Sequence, residues 1–307
     1  MTNKRLVRCL IPLVLIALSI MACRGDADIT TVDFSKRVSV ERPNIQTAEN
    51  SQFRVAVAAM ISPRQTVIHY HHLLNYIADR LGRKIQLVQR KTYSEIDELF
   101  GAGQVDLAFI CSGPYATGRQ TYGFEALAVP QVRGKHDYRS YLIVHKESPY
   151  HQLSDLKGKV FAFTDPDSNT GKLVPTYWLA RQGDTPENFF GKIIYTYSHD
   201  NSIMAVAKSL VDAAAVHEQI WQYYRDREPF YTEKTRIIRK SIRFGNPLMV
   251  VSRQLTDPFK DRIRDLLFSM HRDTEGKKIL DELMIDRFIP PQDEWYQPIV
   301  AMQARSK

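Results

Sequence analysis

The stretch Val160–Gly171 reads VFAFTDPDSNTG and passes from an apolar run into turn and helix-capping residues. Val160–Phe163 is typical of a buried strand, and Asp165 with the following proline is a turn signal. Ser168–Thr170 then stand at the cap and first turn of a helix predicted over Lys172–Arg181. A strand that leads through a short loop into a helix is the repeating unit of α/β folds, so this stretch indicates the fold class.

The same alternation extends to both sides of the stretch. On the N-terminal side, strands are predicted at Phe53–Ala59, Ile85–Val88 and Asp106–Ile110, with helices between them and Gly82 ending the first helix. This βαβαβ order predicts a mostly parallel sheet with covering helices. The further predicted elements are the helix Ser94–Phe100, the strands Tyr138–His145, Ile193–Tyr197, Ala213–Val216, Ile237–Ile238 and Pro247–Val251, and the helices Ile203–Leu210, Asp257–His271 and Thr274–Met284.

Two α/β units therefore share the chain, and they are joined near Tyr141–Lys146 and again near Arg239–Asn246. We expect lobe 1 to comprise residues 52–143 and 247–307, and lobe 2 to comprise residues 144–246.

A chain of 307 residues that is 44% apolar and 25% charged excludes collagen-like, disordered and multi-pass membrane classes. A net charge of +8 does not indicate a nucleic-acid partner.

The N-terminus is typical of a targeting signal. Residues 1–22 join a basic start to the apolar run Leu10–Ile20, which is short for a transmembrane span. Leu18–Cys23 (LSIMAC) resembles the bacterial lipobox, which implies lipidation of Cys23 and a flexible tether over residues 23–51. The alternative is an uncleaved anchor helix. Both alternatives place the folded part outside the cytoplasm, in the periplasm or an equivalent extracytoplasmic space, held at a bacterial membrane.

The cysteines argue against disulfide, metal and thiol chemistry. Cys9 lies in the signal and Cys23 is the lipid acceptor, so Cys111 alone cannot form an internal disulfide. The sequence shows no Cys/His metal pattern, and we expect no metal and no cofactor. Cys111 with His199 or His217 could supply a nucleophile and a base. Because no motif of a known catalytic class accompanies them, we expect the protein not to be an enzyme.

Polar loops follow several predicted strands, at the sheet edge where open α/β proteins bind ligands. Helix N-termini at this edge offer N–H groups and a partial positive charge, which favour an anion. Each loop also has a plainer interpretation as an ordinary turn or helix cap, with Tyr115 packed on its own lobe. The loops are Cys111–Tyr115 (CSGPY), Ser168–Thr170, Ser198–Asp200, His217-Glu218 and Asn246-Pro247.

Four segments together resemble a known family, the phosphate/phosphite/phosphonate-binding (PhnD-like) substrate-binding lipoproteins of ABC transporters. The resemblance implies a type II periplasmic-binding-protein fold, in which two α/β lobes joined by two hinge crossovers hold a ligand in their cleft. The segments are Asp106–Tyr115 (DLAFICSGPY), Asp155–Pro175 (DLKGKVFAFTDPDSNTGKLVP), Ser198–Val216 (SHDNSIMAVAKSLVDAAAV) and Asn246–Val251 (NPLMVV).

The resemblance also implies roles for single residues. Ser168, Asn169 and Thr170 match the helix start that contacts phosphonate, and His199 matches a ligand-contacting histidine. Asn246 stands where aminoalkylphosphonate binders have an aspartate, so the resemblance implies a ligand other than 2-aminoethylphosphonate, whose ammonium would lack a counter-charge. The remaining candidate ligand contacts are Ser112 and Tyr115 of the CSGPY loop and His217 or Glu218.

The leading hypothesis is an extracytoplasmic solute-binding lipoprotein that captures a small oxyanion, phosphonate, phosphite or phosphate, for an ABC importer. The expected partners are that ligand, an ABC permease and, through the N-terminal lipid, a membrane, with a monomer as the default state. The alternative is a ligand-sensing or accessory lipoprotein with the same fold and a different small ligand. Permease and ATPase genes beside this one would favour transport.

Overall fold

The structure is a computed structural model that describes residues 52–306. The predicted signal peptide, the lipidation site Cys23 and the tether all lie outside the described residues. Among the described residues, no helix has the length and apolar character that a membrane crossing requires.

Several predicted boundaries follow directly from local backbone chemistry. The first helix begins at Pro63 and ends at Leu81, followed by Gly82 with a left-handed φ of 63°. Gly82 adopts this φ without the steric cost that a side chain brings, and its N–H bonds the carbonyl of Asp79 at the helix end. The prediction that Gly82 ends this helix is confirmed.

The described residues form thirteen strands and ten α-helices, with a π-helical turn at Asn169–Leu173. The strands are β1 (Phe53–Val57), β2 (Ile85–Val88), β3 (Leu107–Ile110), β4 (Phe124–Gln131), β5 (Asp137–Tyr138), β6 (Ser140–His145), β7 (Val160–Phe163), β8 (Lys192–Tyr195), β9 (Ala213–His217), β10 (Thr235–Lys240), β11 (Phe244–Gly245), β12 (Leu248–Ser252) and β13 (Arg287–Ile289). The helices are α1 (Pro63–Leu81), α2 (Tyr93–Gly101), α3 (Ser112–Tyr122), α4 (Val174–Ala180), α5 (Pro186–Phe189), α6 (His199–Ala207), α7 (Glu218–Arg227), α8 (Asp257–Ser269), α9 (Thr274–Glu282) and α10 (Gln297–Ala304).

The first sheet, the centre of lobe 1, has the order β13-β4-β12-β3-β1-β2. Only β1, β2 and β3 pair in parallel, with Val55 opposite Leu87 on one side and Leu107 on the other. The strands β12, β4 and β13 join antiparallel, so the sheet is mixed and the prediction of a mostly parallel sheet is wrong for half of it. The reason is that β12 returns late in the chain to insert between β3 and β4.

The second sheet, the centre of lobe 2, has the order β10-β6-β9-β7-β8 and repeats the arrangement. Here β7, β8 and β9 are parallel, while β6 and β10 join antiparallel. The chain passes from one sheet to the other at β5 and again at β11. These two strands pair antiparallel and form the two crossovers. The expected boundary at residues 143 and 144 falls inside β6, which pairs with the second sheet from Ser140 onward. We therefore propose that the lobes divide at β5 and β11.

A continuous apolar core ties the two lobes together. One buried cluster contains Ile110 and Leu248 of the first sheet and Phe161 and Phe163 of the second. The C-terminal helix α10 packs on α3 and on α4, so it touches both lobes, and its buried Ile299 belongs to the same cluster. Burial of these side chains provides the main favourable free energy for holding the lobes against each other.

Candidate functional site

The helix start at residues 168–170 combines a cap with a free hydroxyl. The Ser168 hydroxyl accepts a hydrogen bond from the N–H of Gly171 over 3.0 Å, so Ser168 acts as the N-cap. The Thr170 carbonyl accepts a bond of 2.7 Å from the Ser140 hydroxyl. The Thr170 side chain is fully buried, yet its hydroxyl has no hydrogen-bond partner among the described residues. Such a group points to a ligand or a water.

The Asn169 side chain links lobe 2 to lobe 1. Its amide nitrogen donates to the Tyr138 hydroxyl over 3.2 Å and lies 3.5 Å from the Ser112 hydroxyl. The hydroxyls of Ser112 and Tyr138 are themselves 2.6 Å apart. The amide oxygen of Asn169 is buried without a partner among the described residues. Three polar side chains from two lobes therefore meet beside the helix start.

His199 contributes a neutral imidazole with a defined tautomer. Its Nδ1 accepts a hydrogen bond from the backbone N–H of His217 over 3.2 Å and lies 3.1 Å from the Thr164 hydroxyl. Because Nδ1 is an acceptor, Nε2 carries the hydrogen. Burial lowers the pKa of His199 to about 3, so the ring is uncharged near neutral pH. Its Nε2–H is buried and has no partner among the described residues.

Thr164 connects His199 to the helix start. Thr164 directly follows β7, and a Cβ at position 171 would lie 2.3 Å from its hydroxyl oxygen. The glycine at 171 therefore allows the strand end, the helix start and the histidine to pack together. Thr164 was not among the predicted site residues, although a polar residue directly after the VFAF strand was a usable signal.

His217 completes the cluster from the end of β9. Its ring stacks on the Tyr138 ring with centroids 4.0 Å apart. Its Nδ1 accepts from the N–H of Gln219 over 3.1 Å, which leaves Nε2 as the protonated nitrogen. Burial and the nearby His199 lower its pKa well below the ordinary value, so His217 is also neutral. Tyr138 was missed because its sequence position reads only as an aromatic strand residue.

A second helix N-terminus reaches the same place from lobe 1. The predicted CSGPY loop is in fact the start of α3, with Cys111 as the N-cap. A Cβ at Gly113 would lie 2.6 Å from the Asp167 carbonyl oxygen and 3.0 Å from the Asn169 nitrogen. The absence of a side chain at Gly113 thus lets α3 touch the loop before α4. Burial raises the pKa of the Cys111 thiol to about 11, which makes it a poor nucleophile.

Direct hydrogen bonds join the lobes around this cluster. The Tyr93 N–H donates to an Asp165 carboxylate oxygen over 3.1 Å, and the Ser62 N–H donates to Asp200 over 2.9 Å. The His199 N–H donates to the Met60 carbonyl over 2.9 Å. In each bond one partner belongs to lobe 1 and the other to lobe 2, so the cleft is closed in this structure.

Two of the predicted ligand contacts use their polar groups elsewhere. The Tyr115 hydroxyl donates to Asp293 over 3.0 Å and accepts from Arg119 over 2.9 Å, so it does not join the cluster around Asn169. The Asn246 amide donates to the Pro130 carbonyl over 2.9 Å and accepts from Gln219 over 2.8 Å. The structure thus places Tyr115 against lobe 1 and ties Asn246 to the crossover, and it does not bring either side chain into the cluster around Asn169.

The carboxylate of Glu218, the alternative to His217, also has partners outside the cluster. It accepts a bond of 2.7 Å from the Tyr141 hydroxyl and lies 3.8 Å from the Arg243 guanidinium. The structure therefore groups seven predicted or neighbouring positions and leaves Glu218, Tyr115 and Asn246 outside. The grouped side chains are Ser112, Tyr138, Thr164, Asn169, Thr170, His199 and, stacked on Tyr138, His217.

The cluster is chemically suited to binding an anion. Its groups are neutral hydroxyls, an amide and two neutral imidazoles beside two helix starts. Over residues 52–306, no three His, Cys, Asp or Glu side chains are arranged to hold a metal ion. Neutral donors and helix N-termini stabilise negative charge without bringing a cation into a buried site.

Comparison with protein families supports this chemistry. The family described as "ABC transporter, phosphonate, periplasmic substrate-binding protein" matches residues 55–296. The phosphonates-binding periplasmic protein of Escherichia coli is 27% identical over 210 residues, which cover 66% of this chain and 62% of that protein. The phosphate-import protein PhnD of Mycolicibacterium smegmatis is 29% identical over 188 residues, which cover 56% of this chain and 58% of that protein. The chain thus spans about six-tenths of the length of these relatives.

Solved structures share the two-lobe fold. A binding-protein component of an ABC phosphonate transporter from Pseudomonas aeruginosa superposes with a TM-score of 0.79 at 22% identity, covering 84% of this chain and 87% of that one. PhnD1 of Prochlorococcus marinus, solved in complex with methylphosphonate, gives a TM-score of 0.74 at 18% identity, covering 82% of this chain and 97% of that one. The two lobes and two crossovers expected from the sequence are confirmed as the fold.

Proposed function

Because the chain belongs to the family of periplasmic phosphonate-binding proteins of ABC transporters, we propose that it binds a small phosphorus oxyanion in the closed cleft. The ligand's oxygens would lie against the cluster formed by Asn169, Thr170 and His199. On this proposal, the protein presents the bound ligand to an ABC permease for import.

One observation carries the proposal most directly. The Thr170 hydroxyl and the His199 Nε2–H are buried donors without partners in the described chain. Leaving a buried donor unpaired costs about 1–3 kcal/mol each, so a ligand that accepts both bonds recovers that cost. An oxyanion accepts several hydrogen bonds at once and benefits from the adjoining helix starts.

Asn169 fits the same ligand after a rotation of its amide. The hydroxyls of Ser112 and Tyr138 donate as readily as they accept. When the Asn169 amide turns by half a revolution, its oxygen accepts the hydrogen of the Tyr138 hydroxyl, which in turn accepts from the Ser112 hydroxyl, and the NH₂ group faces the unpartnered side. The side chain then becomes a third donor to the ligand, and its anchoring across the lobes is kept.

Other parts of the proposal rest on the family and on the N-terminal sequence. We propose that the protein is extracytoplasmic, lipidated at Cys23 and attached to a bacterial membrane, and that it acts as a binding protein and not as an enzyme. The raised pKa of Cys111 supports the last point, because the only cysteine in the described residues stays a thiol.

A binding screen tests the proposal. The full chain, purified in detergent, is titrated calorimetrically with phosphate, phosphite, methylphosphonate, 2-aminoethylphosphonate and, as a non-phosphorus anion, sulfate. We expect selective binding of at least one phosphorus anion and no binding of sulfate. At a concentration a hundred times its dissociation constant, that anion stabilises the protein by about 2.7 kcal/mol, which a thermal shift detects. Binding of sulfate alone, or of none of these anions, would refute the proposal.

A further inference from the structure

A buried carboxyl group of lobe 1 lies against the carboxylates of lobe 2. Asp97 belongs to α2 and is 4% exposed. It follows Tyr93 by about one helical turn, so the two residues lie on the same face of α2. The Tyr93 N–H donates to the Asp165 carboxylate over 3.1 Å, which holds the start of this face against the loop before α4. Asp97 therefore lies in the contact between the lobes.

The two buried carboxyl groups in this contact differ in their hydrogen bonds. One oxygen of Asp165 accepts from the Asp167 N–H over 2.8 Å, and the other accepts from the Tyr93 N–H. Oδ1 of Asp97 is buried and has no partner among residues 52–306. Backbone N–H donors stabilise a carboxylate, whereas a buried carboxylate without donors is costly. Asp97 is therefore the group of the two that takes up a proton more readily.

The charged groups that act on Asp97 are acidic. Asp167 and Asp165 face it from lobe 2, and Glu98 is its neighbour on α2. Tyr122 of α3 is a further titratable neighbour, and Asp97 helps to raise the pKa of that hydroxyl. Burial, followed by the three carboxylates, raises the pKa of Asp97 to about 8. Burial raises the pKa of Asp165 to about 6, so between these two values Asp165 is charged while Asp97 keeps its proton.

Separation of the lobes changes the surroundings of Asp97. The carboxylates of Asp165 and Asp167 move away and water reaches the Asp97 side chain, while the packing of α2 on α3 within lobe 1 remains. Both changes lower the pKa of Asp97 toward the ordinary range of a carboxyl group. The closed form therefore binds this proton more tightly than the open form. As the pH rises toward about 8, closure loses the stabilisation that the proton provides.

We propose that Asp97 is a pH-sensitive switch of lobe closure: the cleft is closed while Asp97 holds a proton and opens when that proton is lost. The ionised Asp97 repels Asp165, and the bond from Tyr93 to Asp165 across the lobes is broken. The switch regulates the proposed function without touching the ligand, because Asp97 is outside the cluster of Asn169, Thr170 and His199. The protein then holds its anion in weakly acidic or neutral surroundings and binds it less tightly in alkaline ones.

Hydrogen exchange of the ligand-free full chain, purified in detergent, tests the switch independently of the proposed function. The Ser62 N–H is the readout, because it bonds Asp200 across the lobes and Asp200 is not among the groups that act on Asp97. The parent and Asp97→Asn are compared at the same pH, which cancels the pH dependence of the exchange chemistry. We expect equal protection of this amide at about pH 6.5 and about tenfold faster exchange in the parent at about pH 8.5, as a pKa difference of one unit between the open and closed forms implies. Equal protection at both pH values would overturn the inference.

Calorimetric titration with methylphosphonate over the same pH range tests the effect on binding, and this part rests on the proposed function. The ratio of the dissociation constants of the parent and Asp97→Asn removes the ionisation of the ligand itself. We expect a ratio near one at about pH 6.5 that rises to about ten at about pH 8.5. His69, His199 and His217, which lie between the lobes, have lowered pKa values and stay neutral over this range. A ratio that is independent of pH would contradict the switch while leaving the proposed function intact.

A second variant tests the partner carboxylate and does not alter a buried residue. Asp167→Asn, at an exposed position, removes one of the charges that raise the pKa of Asp97 and should reduce the effect of pH on Ser62 exchange. Glu147→Gln is the matched control, because it removes a negative charge from an exposed position at the opposite end of β6 and should behave like the parent. An unchanged effect of pH in Asp167→Asn would contradict the role of the facing carboxylates. If no phosphorus anion binds, the proposed function fails, and the exchange of Ser62 still decides the switch.

Discussion

The backbone N–H of His217 donates a hydrogen bond to Nδ1 of His199 over 3.2 Å. A backbone donor cannot be exchanged by mutation of a side chain, so the tautomer of His199 is set by the register of β9. The consequence is a neutral ring that offers Nε2–H to the cleft and resists protonation, because burial lowers its pKa to about 3.

The depressed pKa of His199 predicts a specific pH dependence of stability. An unfolded histidine titrates near pH 6.5, so below that pH the unfolded chain binds a proton that folded His199 does not. Stability contributed by the neutral ring is therefore lost as pH falls from about 6.5 toward 3. We expect the stability difference between the parent and His199→Gln to shrink over this range in urea titrations. A constant difference for His199→Gln would contradict the assignment.

Asp97 predicts the opposite pH dependence of stability. Burial and the carboxylates of Asp167 and Asp165 raise its pKa to about 8. Between about pH 4 and pH 8 the folded protein holds a proton that the unfolded chain has released, so stability falls as pH rises. Asp97→Asn removes this loss, and its stability relative to the parent should grow from pH 4 to pH 8. A stability difference between Asp97→Asn and the parent that stays constant from pH 4 to pH 8 would rule out the raised pKa.

Thr170→Val should weaken phosphonate binding about tenfold or more without lowering the melting temperature. The variant keeps the shape of the side chain and removes one hydrogen bond to a charged oxygen, which is worth about 1.5–3 kcal/mol. Since the Thr170 hydroxyl has no partner among the described residues, the unliganded protein loses no bond. Thr176→Val, at a buried and equally unpartnered hydroxyl of α4, should bind normally. Equal affinities in the two variants would remove Thr170 from the site.

Gly113→Ala should weaken binding while the protein still folds. The added methyl group would lie 2.6 Å from the Asp167 carbonyl, so α3 and the loop before α4 must separate. Separation moves Ser112 from Asn169 and opens the donor cluster. Gly101→Ala, where the nearest atom would be an ordinary 3.4 Å away, is the matched control for calorimetry. Normal affinity in Gly113→Ala would show that binding does not need this contact.

Asn246→Asp should destabilise the protein and should not create a site for 2-aminoethylphosphonate. The amide of Asn246 donates to the Pro130 carbonyl over 2.9 Å, and a carboxylate at the same place would face that carbonyl without a hydrogen. Loss of a buried bond of this kind costs about 1–3 kcal/mol, visible as a lower melting temperature. The control Asn188→Asp, at an exposed asparagine, should have the same melting temperature as the parent. A gain in 2-aminoethylphosphonate affinity would contradict the structural role given to Asn246.

The sequence predicted those features that depend on local chemistry. The strands β2 and β7 and the capping roles around Ser168 follow from apolar runs and turn residues, and they are found as predicted. Strand direction was predicted less well, because β12 pairs antiparallel with β3 from 138 residues away, and periodicity contains no information about such a partner. The segment Cys111–Tyr115 is predicted as a loop, whereas the structure begins α3 at Ser112, because glycine and proline are acceptable in the first turn of a helix.

Prediction of the site was limited in the same way. Ser168, Asn169, Thr170 and His199 follow strands whose ends meet, so their positions in sequence were informative. Tyr138 reaches Asn169 only because the crossover brings β5 beside α3, and the hydrophobic pattern gives no sign of that contact. The alternative uses of Tyr115 and Asn246 depend on Asp293 and Gln219, partners that only the folded chain identifies.

The bonds from the Tyr93 N–H to Asp165 and from the Ser62 N–H to Asp200 join the lobes directly. A cleft held shut in this way limits the access of ligand to the site. Ligand can arrive only during the intervals in which these bonds are broken, so the frequency of spontaneous opening sets a ceiling on the rate of capture. A bound ligand leaves through the same opening. We therefore expect the two carboxylates to lengthen the residence time of the ligand, although neither is among the groups proposed to touch it.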